Sequence, residues 1–150
     1  MNSTELQLGR RILLVLDPGD DVLESIAEAC RQHGIRQASI PVFLGAFRTV
    51  TMIGTEGEPS NWDAPMPDAV TLHHTEGMGN GTVSFDADQG THSVHLHAAV
   101  GEKAHRSAAY SGHVLSAETH YVAEIVLEEL LSPTLSRPAG EYGVPVLHIS

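Results

Sequence analysis

The sequence predicts an α+β domain, in which one main N-terminal helix and flanking helical turns pack on a mostly antiparallel β-sheet. Three observations favour this class. The chain has 150 residues, 41% of them hydrophobic, which is the size of one domain with a sizeable core. One strongly amphipathic helical pattern occurs near the start. Most later segments are short runs of β-branched and aromatic residues separated by Gly, Asp and Ser, as in strands joined by short loops.

The first two elements have clear boundaries. The apolar run 11–16 predicts a buried strand that ends at an Asp-Pro-Gly turn. A helix follows, because Asp21 and Glu24 have the spacing of a capping box and the apolar residues after them recur on one face. Gly34 ends this helix. The single cysteine, Cys30, lies on the apolar face, so we expect a buried thiol and no internal disulfide.

The next segment, Ala38–Ile53, is typical of two strands or of one strand bent at a bulge, because Gly45 and an alanine interrupt it. A loop of about 15 residues over 54–68 follows, and a loop of this length commonly covers something. It carries the only tryptophan, Trp62. We expect this side chain to hold the loop down on the domain, with a ligand or subunit contact as the alternative.

Strands dominate the rest of the chain. We predict them at 69–75, 82–86, 93–100, 111–117 and 121–127. The stretch 121–131 also has the composition of a helix, but its valines and isoleucine are β-branched, so we favour a strand that ends in a helical turn. We expect one domain over residues 1–150, in which 132–150 is a C-terminal tail segment with a last apolar piece at 144–149.

Charge and composition exclude several classes of function. Eight Lys and Arg against 19 Asp and Glu give a net charge of −11, so direct binding to DNA phosphates is not expected. The longest apolar run, 12–16, is far shorter than the ~20 residues of a membrane-spanning helix. No signal peptide is visible, and we expect a cytoplasmic protein without a membrane partner.

Histidine is the unusual feature of the composition, with ten in the chain. In the strand at 93–100, alternation places Leu96 and the other apolar residues on the core face and His95 and His97 together on the opposite face, whereas His92 has the wrong parity. Two imidazoles about 7 Å apart at their Cα atoms suit one metal ion. The alternative is an exposed strand face on which both histidines are solvated.

A second pair of histidines lies in the strand predicted at 69–75. His73 shares its parity with two threonines, and His74 shares its parity with Val70 and Leu72. His73 is therefore the better candidate for a polar cleft. We expect His74 to be a semi-buried histidine with a hydrogen-bond partner.

Six pieces of the chain occur in the order and spacing of a known domain. They are Asp17-Pro-Gly-Asp-Asp-Val-Leu-Glu-Ser-Ile26, Gly34-Ile35, Phe43-Leu-Gly-Ala-Phe47, Val94-His-Leu-His-Ala98, Ser111-Gly-His-Val-Leu115 and Val122-Ala-Glu-Ile-Val126. In these pieces the chain resembles the PPC domain, the plant and prokaryote conserved domain also called domain of unknown function 296. The resemblance covers roughly residues 10–130.

The resemblance implies a fold like that of acetolactate decarboxylase, assembled as a homotrimer. It also implies a metal site, usually taken as zinc, whose ligands would be His95, His97 and His113. Ser111 stands where the family has a glycine, the segment 75–81 departs from the usual pattern, and the chain lacks the basic AT-hook of the plant members.

Three neutral imidazoles leave a fourth metal position open, as in catalytic zinc sites. The metal would act as a Lewis acid in a small-molecule lyase or hydrolase, with a small anionic or carbonyl ligand. Glu124 and Tyr110 are the candidate catalytic groups, and Glu118 is a further helper candidate. The alternative is a non-catalytic module, either DNA-associated and regulatory or ligand-sensing.

Overall fold

The structure, a computed structural model, describes residues 1–54, 58–66, 68–140 and 143–150. Its elements in chain order are β1 (Gln7–Leu16), α1 (Val22–His33), β2 (Ala38–Ile53), β3 (Ala69–Asp86), β4 (Thr91–Glu102), a 3₁₀ turn (Lys103–His105), β5 (Ala108–Ser132), β6 (Leu135–Ser136) and β7 (His148–Ile149). The large sheet is antiparallel throughout, and its strands follow the order β1-β5-β2-β3-β4. The predicted class, one main helix with a mostly antiparallel sheet, is confirmed.

The longest strand, β5, closes the sheet into a barrel-like shape. One edge of β5 pairs with β2, and the other edge pairs with β4 at one end and with β1 at the other end. Strands β2, β3, β4 and β5 therefore form a closed ring, which β1 extends. The predicted strands 111–117 and 121–127 are parts of this one strand, and the expected helical turn after them is wrong, because β5 continues to Ser132.

The strand β3 also joins two predicted strands into one, through the glycine-rich segment 75–81. Gly77, Gly79 and Gly81 pair with β4, and the two backbones approach closely there. A Cβ at any of the three would collide with a carbonyl oxygen of β4. The glycines thus permit a tight strand pair, where the sequence suggested a break between two strands.

One core fills the barrel and extends to α1, whose predicted boundaries are confirmed. The Asp21 carboxylate caps the helix by accepting a hydrogen bond from the backbone N–H of Glu24 at 2.9 Å, and Gly34 ends it in the left-handed conformation with φ 65°. Cys30 is fully buried in this core, and burial raises the pKa of its thiol to about 11. The cysteine therefore packs as an apolar residue.

The C-terminal segment folds back onto the barrel. Strands β6 and β7 form a separate two-stranded antiparallel sheet. Gln37 holds this segment, because its side chain donates to the carbonyl of Pro133 at 2.6 Å and accepts from the N–H of Leu135 at 2.7 Å. These two hydrogen bonds fix the start of the tail beside β3, and they matter for the site described below.

Two further findings concern the surface. Trp62 is 70% exposed, so the expected packing of this side chain on its own domain is wrong. Among the described residues, no helix has both the length and the apolar character needed to cross a membrane.

Candidate metal centre

Three histidines meet where β4 pairs with β5. In β4, alternation buries Leu96 and turns His95 and His97 to the other face, as their parity predicts. His97 is the register partner of His113 on β5. The register therefore brings His113 to the side chains of the other two, and one ring nitrogen of each histidine lies within 4.8 Å of those of the others.

The three rings form a compact cluster. Their centroids are 4.7 Å apart for His95 and His113, 5.1 Å for His95 and His97, and 5.3 Å for His97 and His113. Among the residues described, it is the one group of three or more His, Cys, Asp or Glu side chains placed to hold a metal ion. His113 Nδ1 is buried and lacks a hydrogen-bond partner within those residues. A buried nitrogen without a partner and three converging imidazoles fit a metal ion of the zinc type.

The surroundings lower the pKa of two of the three histidines. Burial lowers the pKa of His95 to about 4, and the charges of Arg137, His113 and His97 act in the same direction. The pKa of His113 is also lowered, first by burial and then by His97 and Arg137. Neutral imidazole is the form that binds a metal, so the lowered pKa values of His95 and His113 favour the ligand form of these two residues.

An open pocket of about 470 Å³ lies beside the cluster. His95 and His97 form part of its wall together with Arg137, Thr82 and Leu147. The walls include no Asp, Glu or Lys side chain. The pocket is large enough for a small molecule, and its only charged wall residue is an arginine.

The sequence profile of the Plants and Prokaryotes Conserved (PCC) domain family matches residues 3–131. The chain belongs to this family. The resemblance to the plant and prokaryote conserved domain is thus confirmed. No curated protein matches the chain in sequence.

Solved structures of similar proteins have the same fold. A plant- and prokaryote-conserved protein from Pyrococcus horikoshii is 25% identical with a TM-score of 0.81, and the match covers 99% of this chain and 97% of that one. A metal-containing protein from Archaeoglobus fulgidus is also 25% identical, with a TM-score of 0.75 and 99% of each chain covered. A protein from Ralstonia eutropha described as a proposed DNA-binding protein has 22% identity, a TM-score of 0.73 and coverage of 92% and 90%.

The barrel is also similar to a decarboxylase fold. Acetolactate decarboxylase from Bacillus subtilis matches with a TM-score of 0.51 and 15% identity, over 81% of this chain and 52% of the enzyme. At this identity the likeness concerns the fold alone. The predicted architecture is confirmed to that extent.

One departure of this PCC domain from the usual family pattern does not disturb the cluster. Ser111 is exposed and pairs with Ala99 of β4, so its side chain has space. The tight position is the next one, because a Cβ at Gly112 would lie 3.1 Å from the carbonyl oxygen of Ile53. The glycine that this close approach needs is present.

The two predicted catalytic groups of the PCC domain lie on β5, the strand that carries His113. Glu124 is exposed on β5, eleven residues beyond His113, and it pairs with Val15 on one side and Leu44 on the other. At about 3.3 Å per residue, this separation is on the order of 30 Å along the strand. Tyr110 is exposed on β5 and pairs with Val100.

Neither Glu124 nor Tyr110 is in the cluster, and their catalytic roles stay predictions. The further helper candidate, Glu118, forms an ion pair with Arg48 at 3.3 Å.

The pair at 73–74 also differs from expectation. His74 is exposed and has a φ of 50°, so the regular alternation of β3 breaks there and both histidines face outward between the buried Leu72 and Thr75. The expected semi-burial of His74 is therefore wrong. Its ring lies 5.3 Å from that of His120 and is tilted by 53° to it. Neither His73 nor His74 is in the three-histidine group.

The sequence reasoning missed Arg137, which the structure places at the pocket. The surrounding Ser-Arg-Pro sequence was assigned to a linker-like tail, because nothing in its pattern indicates a partner. Only the structure identifies this residue, through a hydrogen bond to a residue 55 positions earlier in the chain. Arg137 Nη2 donates to Thr82 Oγ1 at 2.7 Å.

Proposed function

We propose that this PCC-domain protein binds a divalent metal ion, zinc in the first instance, through His95, His97 and His113. The observation that carries the proposal is the meeting of three imidazoles from two paired strands, with one ring nitrogen of each within 4.8 Å of the others. The description of the 25% identical protein from Archaeoglobus fulgidus as metal-containing supports it. A catalytic or ligand-binding zinc site has three protein ligands, whereas a structural zinc site has four.

The proposed function is that of a small-molecule lyase or hydrolase whose ligand is a small anion or carbonyl compound. Zinc, when bound, supplies a Lewis acid that polarises a carbonyl oxygen or lowers the pKa of water to about 7. The chain supplies the rest. Burial favours the neutral form of His95 and His113, and the pocket beside the cluster accepts a small molecule and presents one positive side chain, Arg137.

We also propose that the protein is a homotrimer, and an exposed apolar surface of the barrel supports this. Leu13 of β1 pairs with Val126 of β5, which in turn pairs with Val42 of β2, so the three lie in one row. Leu13 and Met78 are 66% and 67% exposed. A contiguous apolar face of this kind is typical of a protein–protein interface.

Glu124 lies in the neighbouring row of this same face, between Val15 and Leu44. Its large separation from His113 along β5 makes a role at the histidines of its own chain impractical. Its proposed catalytic role therefore depends on contact between subunits. The same apolar face that supports assembly would bring this carboxylate to a neighbouring chain.

A non-catalytic sensor that holds a ligand at the metal is the alternative within the same site. Direct DNA binding is not part of the proposal. The net charge of −11 opposes contact with phosphates, and only one of the chain's eight cationic residues, Arg137, lies in the pocket beside the histidines.

Cobalt titration tests the metal site. Chelator-treated protein should develop the visible absorption of tetrahedral cobalt, and His97→Ala should abolish it, because a ligand is lost. His73→Ala is the matched control, since His73 is exposed and outside the group. Equal cobalt spectra for both variants would contradict the proposed site.

A further inference from the structure

Arg137 is a partly buried arginine that has no counterion among the described residues. It belongs to the C-terminal segment, beyond the residues 3–131 that the family profile matches. Its Nη2 donates to Thr82, and its Nε is buried without a hydrogen-bond partner in the described part of the chain. No described Asp or Glu forms an ion pair with it, whereas the following cations all pair with glutamates: Arg10, Arg11, Arg31, Arg48 and Lys103.

The position of Arg137 relates it to the histidines. Thr82, which accepts its hydrogen bond, is the register partner of His95 on the adjacent strand. Arg137, His95 and His97 are walls of the same pocket. The hydrogen bonds of Gln37 to Pro133 and Leu135 hold the backbone just before Arg137, and the hydrogen bond to Thr82 holds its guanidinium.

The charge of this pocket is unbalanced. A divalent ion on three neutral imidazoles keeps its full charge of two, and Arg137 adds a third positive charge, while no acidic side chain lines the pocket. Burying a charge without a partner is costly, and no Asp or Glu in the described part of the chain forms an ion pair with this guanidinium. The missing counterion is therefore best supplied by a ligand.

We propose that Arg137 binds the carboxylate of a small organic acid that lies between the guanidinium and the metal. The inference rests on the proposed metal site and names its ligand class. A guanidinium donates two parallel hydrogen bonds to a carboxylate, which fits the donors that Arg137 has free. Ile40, Pro41 and Leu147 provide an apolar wall for the carbon body of the acid.

The test measures binding of pyruvate and of pyruvamide to zinc-loaded protein by calorimetry. The two probes share a carbonyl and differ in the charge of the acid group. In Arg137→Gln the affinity for pyruvate should fall about tenfold or more, and that for pyruvamide should stay unchanged. Arg137→Lys should lose part of the pyruvate affinity, because it keeps the charge and loses the planar donor pair.

Arg106→Gln is the matched control. Arg106 is exposed, lies outside the pocket and forms no ion pair with a described residue, so this variant makes the same change in net charge elsewhere. It should bind pyruvate like the wild type. Zinc content, measured on every sample, should be equal in the wild type and the three variants. Equal zinc content shows that a change in pyruvate affinity comes from Arg137 and not from loss of the metal site.

The outcomes that overturn the inference are distinct. Wild-type protein without zinc contradicts the proposed function. Zinc-loaded wild type that binds no pyruvate, or Arg137→Gln with unchanged pyruvate affinity, overturns the role of Arg137 and leaves the metal site standing. Inorganic phosphate that binds through Arg137 about tenfold more tightly than pyruvate would overturn the assignment to carboxylates.

Discussion

The sequence predicts one property of His95, the face of the strand on which it lies, and does not predict another, its burial. Its parity with His97 on a single strand was readable from the sequence, because alternation in a strand depends only on residue spacing. Its partly buried environment was not, since it depends on the tail and on Arg137 folding over β3. The exposure of His74 was also not predictable from the sequence. A positive φ at this residue interrupts the alternation of the strand, and no local pattern indicates it.

The altered pKa of His95 gives a prediction at this scale. In metal-free protein the imidazole should titrate near pH 4, below its ordinary value of 6.5, because burial disfavours the charged form. The unfolded chain then binds more protons between these values, so this group lowers stability as pH falls from 6.5 to 4 and has no effect above 6.5. NMR titration of the ring protons measures the midpoint. A midpoint near 6.5 would show that the ring is solvated.

Among the elements, α1 was the easiest to predict and β3 the hardest. The helix carries its own signals, a capping box at one end and a glycine at the other. In the sequence, the glycines of β3 suggest a break between two strands. Their role depends on the pairing with β4, because they let the two backbones approach closely at the carbonyl oxygens of β4. For β5, composition allowed a helix or a strand, and pairing with three other strands decides the outcome.

A prediction for the pairing of β3 with β4 concerns Gly79. Gly79→Ala should lower the free energy of unfolding by about 2 kcal/mol or more, because its Cβ would meet the carbonyl oxygen and move β4 at His97. It should also weaken zinc binding. Urea denaturation checks the first effect and zinc titration the second. His73→Ala, at an exposed position of β3 outside the site, is the control, and equal losses in both variants would refute the close-approach argument.

At the scale of the whole molecule, the outer apolar face predicts assembly. Light scattering coupled to size exclusion should give the mass of three chains, and Leu13→Glu should shift it toward one chain, because a charge would enter the buried interface. Gln32→Glu is the control, since this exposed residue of α1 gains the same charge outside the apolar face. A wild-type monomer at micromolar concentration would contradict the trimer.

The overall charge predicts weak or absent DNA binding. One lysine and seven arginines are opposed by 19 acids, and most of the described cations already pair with glutamates. A gel-shift series at low and physiological salt checks this. Submicromolar affinity that persists at physiological salt would show that a local surface outweighs the net charge.

Metal content tests the central claim most directly. Elemental analysis of protein purified without a metal-affinity tag should find about one zinc or other divalent ion per chain. Three imidazoles are the protein ligands of a zinc site whose fourth position is open to water or a ligand. His95→Ala, His97→Ala and His113→Ala should each lose it, and His92→Ala, whose Nε2 lies 2.8 Å from the Ile35 carbonyl oxygen, should keep it. Full metal in the first three variants, or its loss in His92→Ala alone, would contradict the account.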